Sequence, residues 1–96
     1  MIYERAEFTI AEGREEEFER VFHEQAADVI SQADGFVSAS IARAIERPNV
    51  YVLLVVWESV EAHMEGFRGS ELYDHWSSLV RPFFTAPVAV EHYTPR

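Results

Sequence analysis

Four stretches of the chain either alternate between hydrophobic and polar positions or are apolar throughout, which predicts β-strands. They cover residues 2–10, 36–46, 50–57 and 88–93. In the first stretch, Glu4 is the one acidic residue on a face that is otherwise apolar. A Pro-Asn turn separates the second stretch from the third, so we expect these two strands to form a hairpin.

Apolar residues recur every three or four positions in two longer stretches, which predicts amphipathic helices. The first covers residues 14–32, and its first turn carries three glutamates, where the helix dipole favours anions. The second helix is broken in two. Its first part, residues 60–67, follows Ser59 as N-cap, and its second part, residues 71–80, follows Ser70 as N-cap.

The resulting order, β-α-β-β-α-β with a broken second helix, is that of the ferredoxin-like split βαβ fold, so we predict an α+β sandwich. A chain of 96 residues builds one core, so residues 1–96 form a single domain. The strand at residues 50–57 is apolar on both faces, yet the helices of so short a chain cover only one face. We therefore predict a homodimer that packs sheet on sheet.

Composition narrows the classes of partner. The net charge of −9 and the scattered arginines argue against nucleic acids and anionic membranes as partners. No apolar run approaches the roughly 20 residues that span a bilayer. Met1 leads into the first strand without the apolar segment of a secretory signal, so we expect a cytoplasmic protein. The absence of cysteine excludes a disulfide framework and a cysteine nucleophile.

Histidine is the side chain that titrates nearest neutral pH, and four are present. His63 and His75 lie on the broken helix, and each is a candidate acid or base, as is Tyr73. The alternative for His63 is a structural role that ties its helix to neighbouring backbone. His23 lies at the edge of the first helix's apolar stripe, and His92 near the chain end is expected to be structural or interfacial. No two histidines are spaced for a metal site, so none is predicted.

Aromatic side chains are dense in the second half of the chain, where they form either a flat pocket or plain core. They are Trp57, Phe67, Tyr73, Trp76, Phe83 and Phe84. Arg43 is the one cation on an otherwise apolar strand face, and a buried charge needs a partner. That partner is a carboxylate such as Glu7, an anionic ligand or the dimer mate.

Nearly the whole chain resembles the antibiotic biosynthesis monooxygenase family. The resemblance rests on the stretches EGREEEFERVF, ADGFVSASIAR, YVLLVVWESVEAHMEGFRGSELYDHW and RPFFTAPVAVEHY. It implies a dimeric α/β barrel of ferredoxin-like subunits, with a ligand pocket between sheet and helices. The family includes cofactor-independent monooxygenases of phenols and quinones, haem-degrading monooxygenases, and proteins that handle small aldehydes or quinols.

The haem-degrading members use an Asn late in strand one, a Trp on the helix after strand three and a His on the last helix. None of these is matched here, because the positions fall on Ala6 or Glu7, on Gly66, and on Ser77 or Trp76.

The resemblance therefore implies a monooxygenase that needs no cofactor and oxidises a planar aromatic phenol or quinol. Its expected base is His63, His75 or Tyr73. The expected pocket residues are Trp57, Phe67, Trp76, Phe83, His23 and Arg43. The alternative is a non-catalytic dimeric binding module for haem or another hydrophobic planar ligand.

Overall fold

A computed structural model describes residues 1–96 and shows one four-stranded antiparallel sheet with helices on one face. The strand order is β2-β3-β1-β4. This arrangement confirms the predicted ferredoxin-like α+β fold. The strands are β1 (Ile2–Thr9), β2 (Phe36–Arg43), β3 (Val50–Trp57) and β4 (Ala89–Tyr93).

Three helices cover the sheet. Helix α1 spans residues 15–30 and consists of α-helical Glu15–Val21, π-helical Phe22–Ala26 and α-helical Ala27–Ile30. The predicted broken helix is present as α2, π-helical over Ala62–Phe67, and α3, Glu71–Val80. Both predicted N-caps are formed: Ser59 Oγ accepts the Ala62 N–H at 3.1 Å, and Ser70 Oγ accepts the Tyr73 N–H at 3.3 Å. A 3-10 turn, Arg81–Phe83, leads towards β4.

Strand β2 ends earlier than the predicted residue 46 because the hairpin turn takes up its last residues. The Ala44 N–H donates to the Val50 carbonyl at 2.8 Å, and the Val50 N–H donates to the Arg47 carbonyl at 2.8 Å. These two bonds close the hairpin, and β2 and β3 pair in register with Arg43 opposite Tyr51.

Gly35 sets the corner between α1 and β2, against the start of α2. Its φ is +84°, and a Cβ at this position would lie 2.5 Å from the Ala62 Cβ. Its carbonyl accepts the Glu58 N–H at 2.7 Å. Only glycine fits both the left-handed backbone and the close approach. This corner sets where α2 starts relative to the end of β3, and hence where His63 lies over the sheet.

The core lies between the sheet and the helices. Side chains of a strand alternate between faces, so Glu4 shares the covered face with Ala6 and Phe8. Glu4 lies on a central strand, opposite Val55 of β3 and His92 of β4. The alternation therefore places one carboxyl group inside the core.

No segment of this chain covers the opposite face of the sheet. Tyr3, Leu54 and Tyr93 on that face are 45%, 43% and 40% exposed. This is the face that is predicted to pack against a second copy. None of the helices has the length and apolar character needed to cross a membrane.

Candidate functional site

A cavity of about 40 Å³ lies between the sheet and the helices, and we call it the central cavity. Ten of its fourteen lining residues are hydrophobic. The other four lining residues are charged or ionisable and come from β1, from α2 and from the segments that follow α2 and α3: Glu4, His63, Arg68 and Arg81. A volume of this size holds about one water molecule.

Glu4 is a buried carboxyl group at the floor of the central cavity, only 5% exposed. The Trp57 indole N–H donates to its Oε1 at 2.8 Å, and His63 Nε2 lies 3.3 Å from the same oxygen. Burial raises the pKa of Glu4, against the opposing effects of the Trp57 hydrogen bond and the positive charge of Arg68. Glu4 is therefore a carboxyl group whose proton affinity is higher than that of an ordinary surface glutamate.

His63 links Glu4 to a second histidine. Its ring is 3% exposed and stacks on Trp57 at a centroid distance of 5.1 Å and an interplanar angle of 14°. Its Nδ1 lies 2.8 Å from His92 Nε2, while its Nε2 faces Glu4. Burial, followed by the electrostatic effects of His92 and Arg68, lowers the pKa of His63 to about 4. His63 is therefore neutral at pH 7, with one nitrogen donating and the other accepting.

Trp76 carries a hydrogen-bond donor that no protein atom satisfies. Its side chain lines the central cavity and is 8% exposed. Its Nε1 is buried and has no partner. A buried donor of this kind is costly to leave unpaired. It is therefore suited to an oxygen atom of a bound molecule.

The solvent-side wall of the cavity is cationic and aromatic. Arg68 and Arg81 are exposed, and Tyr73 and Phe84 are half-buried. The Arg68 guanidinium lies 5.7 Å from the centroid of the Tyr73 ring. Arg81 donates from Nε to Ser77 Oγ at 2.7 Å and from its terminal nitrogen to the Tyr73 hydroxyl at 3.4 Å. Any negative charge formed in the cavity faces two guanidinium groups.

Part of the site expected from sequence comes together at this cavity. His63, Phe67, Tyr73 and Trp76 line it. Trp57 lies behind the lining and contacts both Glu4 and His63. These residues lie on different elements, and the packing of α2 and α3 over the sheet brings them together.

Three other candidates do not line the cavity. His23 and His75 are exposed on α1 and α3. Phe83 is buried against Phe18 at 5.7 Å and lies under the Arg14 guanidinium at 4.4 Å. The neighbouring residue, Phe84, lines the cavity in its place.

Arg43 pairs with a different carboxylate from the suggested Glu7. Its guanidinium lies 3.7 Å from Glu19 of α1 and 5.7 Å from the Tyr51 ring centroid. Glu7 instead contacts Arg5 at 3.5 Å and Arg47 at 3.6 Å. The reason is the alternation of the sheet: Arg43 and Tyr51 share the helix-covered face, whereas Glu7 lies on the other. Arg43 is outside the central cavity.

Sequence reasoning missed Glu4, Arg68 and the contact of His92 with His63. Glu4 had a signal, since it is the single acid on an apolar strand face, and a carboxyl group buried there needs partners. Arg68 and His92 carried no local signal, because their roles depend on the packing of α2 and β4 around β1.

Comparison with known proteins assigns the chain to a family. The family model described as antibiotic biosynthesis monooxygenase matches residues 1–78. This chain belongs to the antibiotic biosynthesis monooxygenase family. The uncharacterised protein YczJ of Bacillus subtilis (strain 168) is 44% identical over 93 residues, which are 97% of each chain.

Solved structures of similar proteins share the fold of this family member. A candidate antibiotic biosynthesis monooxygenase from Bordetella bronchiseptica has a TM-score of 0.94 and 36% identity, over 99% of this chain and 96% of that one. SnoaB, a cofactor-independent oxygenase from Streptomyces nogalater, has a TM-score of 0.81 and 24% identity, over 99% and 92%. At that identity, the likeness to SnoaB concerns the fold alone.

Proposed function

We propose that this family member is a cofactor-independent monooxygenase that oxidises a planar aromatic phenol or quinol. The observation that carries the proposal is the buried Glu4–His63 pair beside an aromatic cavity. Glu4 serves as the base that takes the phenolic proton, and His63 supports it. A base is most effective when its pKa lies near the working pH, and burial moves Glu4 in that direction.

Removal of the phenolic proton makes the substrate electron-rich. Arg68 and Arg81 stabilise the phenolate by their positive charge, as fixed charges do at sites where an anion develops. The electron-rich anion then supplies the electrons for O₂ itself: one oxygen atom becomes bonded to a substrate carbon, and the other leaves as water with two hydrogen atoms of the substrate. The aromatic wall excludes bulk water from the intermediates. The protein thus supplies a base, cationic groups and a dry cavity.

Trp76 fits the role of ligand anchor. Its unpaired N–H donates to a carbonyl or phenolic oxygen of the bound molecule. Replacing Trp76 with Phe keeps most of the ring packing and removes only this donor. We expect KM to rise about 10-fold, equivalent to about 1.4 kcal/mol, with little change in kcat.

The control for Trp76→Phe is Trp57→Phe, because the Trp57 N–H already has a partner in Glu4. Loss of that paired donor leaves a buried carboxyl group short of a hydrogen bond and costs about 1–3 kcal/mol of stability. Trp76→Phe also removes ring volume from the core but leaves no group unpaired, so we expect it to cost less stability than Trp57→Phe. An unchanged KM in Trp76→Phe contradicts the anchor role.

Binding requires the cavity to enlarge. An engineered cavity of about 150 Å³ accepts benzene, whereas the central cavity measures about 40 Å³. The side chains at its solvent side, Arg68, Tyr73 and Phe84, are exposed or half-buried and are the ones free to move outward. Substrate entry therefore displaces this wall, and the core floor of Glu4 and His63 stays in place.

Oxygen uptake tests the proposed function directly. The purified protein is mixed with dihydroxynaphthalene-type and anthrone-type substrates without added flavin or metal. We expect uptake above that of the same solution without protein. No uptake across the panel, combined with a saturable change in haem absorbance during titration, would instead favour the non-catalytic binding module.

We also propose that the active form is a homodimer joined through the open sheet face. The exposed apolar side chain of Leu54 lies in the middle of that face, between Arg5 of β1 and Ser40 of β2. Leu54→Glu places a carboxylate in the interface, and burying an unpaired charge costs several kcal/mol. We expect the dimer dissociation constant to rise at least about 100-fold.

The matched control is Met64→Glu, since Met64 is 41% exposed against 43% for Leu54 but lies on α2. Light scattering over a concentration series gives the mass of each variant. A dimer for Met64→Glu and a monomer for Leu54→Glu supports the interface. A wild-type monomer at all concentrations contradicts it.

A further inference from the structure

We propose that His63 and His92 form a proton path that connects Glu4 in the central cavity with solvent at the edge of β4. His92 is the outer end of this path. The inference deepens the proposed function and rests on it for its kinetic part. The path itself is carried by the contacts of three side chains from three different elements.

Each ring nitrogen of His63 faces a different side chain. Nε2 lies 3.3 Å from Glu4 Oε1, and Nδ1 lies 2.8 Å from His92 Nε2. A metal site would need nitrogen lone pairs that converge on one point. Here the nitrogens of His63 face two different partners, so the arrangement is a chain and not a chelate.

The outer end of the proton path, His92, reaches water. Strand β4 lies at an edge of the sheet, and His92 is half-buried there. The only buried side-chain nitrogen or oxygen without a partner belongs to Trp76. The Nδ1 atom of His92 makes no hydrogen bond to the protein, so it must be accessible to solvent.

A neutral imidazole has one N–H and one lone pair. The protons along the path can therefore be arranged in two ways, which we call its two polarities. When Glu4 is ionised, His63 Nε2–H donates to it, and His63 Nδ1 accepts from His92. When Glu4 carries a proton towards His63, Nε2 accepts, and Nδ1–H donates to His92. The tautomer of His63 therefore follows the charge of Glu4.

Conversion of the second polarity into the first moves one proton outward. The Glu4 O–H bond breaks and a bond to His63 Nε2 forms. The His63 Nδ1 proton passes to His92 Nε2, and His92 releases its Nδ1 proton to water. Glu4 is left ionised and both rings are neutral, so the base is ready for the next phenolic proton.

The path also avoids the solvent-side wall of the cavity. Arg68 and Arg81 lie there, and their positive charges oppose the exit of a proton. A base enclosed behind them needs another way to exchange its proton with solvent between turnovers. The charged and titratable groups around His63 and the central cavity are Glu4 of β1, His92 of β4, Arg68 after α2, Tyr73 of α3 and Arg81.

Nitrogen-15 NMR of histidine-labelled protein tests the path without any substrate. Two-bond proton–nitrogen correlations show which nitrogen of His63 carries its proton. We expect Nε2–H when Glu4 is ionised and Nδ1–H when Glu4 is protonated, with a change of the His92 tautomer at the same pH. Glu4→Gln should hold His63 in the Nε2–H form at every pH at which its ring is neutral. A His63 tautomer that ignores both pH and Glu4→Gln overturns the proposal, whatever the enzyme does.

Steady-state kinetics of His92 variants provide a second test. His92→Phe keeps the packing and removes the outer nitrogen, so we expect kcat to fall about 10-fold or more, with KM within about twofold. In His92→Ala, free imidazole in the buffer should restore kcat. His75→Ala, an exposed control on α3, should behave as wild type. Unchanged kcat in both His92 variants overturns the path as a catalytic element, whereas an inactive wild type with coupled tautomers overturns only the proposed reaction.

Discussion

Glu4→Gln lowers kcat/KM for the aromatic substrate by about 10²–10⁴-fold, the usual contribution of a positioned acid or base. The amide cannot take a proton from the substrate. Its Oε1 still accepts the Trp57 N–H, which lies 2.8 Å from this oxygen in Glu4. The variant therefore loses the chemistry and keeps the contact that holds the side chain in the core.

Steady-state oxygen uptake measures the loss, and urea unfolding at pH 7 measures the fold. Stability is expected to be equal to or above that of the wild type, because a buried carboxylate is replaced by a neutral group. The control is Glu65→Gln, since Glu65 is exposed on α2 two positions from His63. Full activity in Glu4→Gln would remove Glu4 from the mechanism, and a loss of activity in Glu65→Gln would show that the effect is not specific.

Replacing His63 with Phe removes the largest loss of folding stability that we expect from this site when the pH is lowered. The folded pKa of His63 is about 4, against 6.5 in the unfolded chain. Its contribution to stability is therefore present above pH 6.5 and is lost as the pH falls towards 4, because the unfolded state binds the proton first. A shift from 6.5 to about 4 amounts to about 3 kcal/mol at 1.36 kcal/mol per pKa unit.

Glu4 acts in the opposite direction, so the comparison is made in the Glu4→Gln background. The folded pKa of Glu4 is raised above 4.5, so its contribution to stability is present at low pH and is lost as the pH rises through the folded pKa. With Glu4 replaced, the remaining difference between Glu4→Gln and Glu4→Gln/His63→Phe comes from His63. Phe keeps the stacking on Trp57.

Urea unfolding curves between pH 4 and 7.5 measure this difference. From pH 7.5 to 4, we expect the single variant to lose about 3 kcal/mol more than the double variant. His75→Phe in the same background is the control, because His75 is exposed on α3. Parallel pH profiles for the single and double variants would show that His63 titrates at its ordinary pKa and is not held neutral by burial.

The two results together separate the roles of the pair. Glu4 is expected to dominate the rate, whereas His63 is expected to dominate the pH dependence of stability. The two side chains lie side by side, with Glu4 Oε1 3.3 Å from His63 Nε2. Because the residues contact each other, their effects are not expected to add.

Local sequence patterns distinguish only partly between His63 and His75 as residues of the site. The motif containing Trp57 and His63 pointed to α2, whose His63 lines the central cavity, and the N-cap Ser59 identified its start. The helical pattern did not decide between His63 and His75, because both lie on predicted helices. The packing decides, since α2 turns His63 onto Trp57 and α3 turns His75 to solvent.

The sequence by itself determined the order of the elements, the extent of β3, the break between α2 and α3 and the fact that the helices leave one face of the sheet open. These features follow from periods of two and of three to four residues and from capping residues, which are local in the chain. The tertiary structure alone decided the site. Trp57 is 53 residues from Glu4, and His92 is 29 residues from His63, so no local pattern joins them. Their contacts, and the burial that shifts the pKa values of Glu4 and His63, exist only once β4 and α2 are packed around β1.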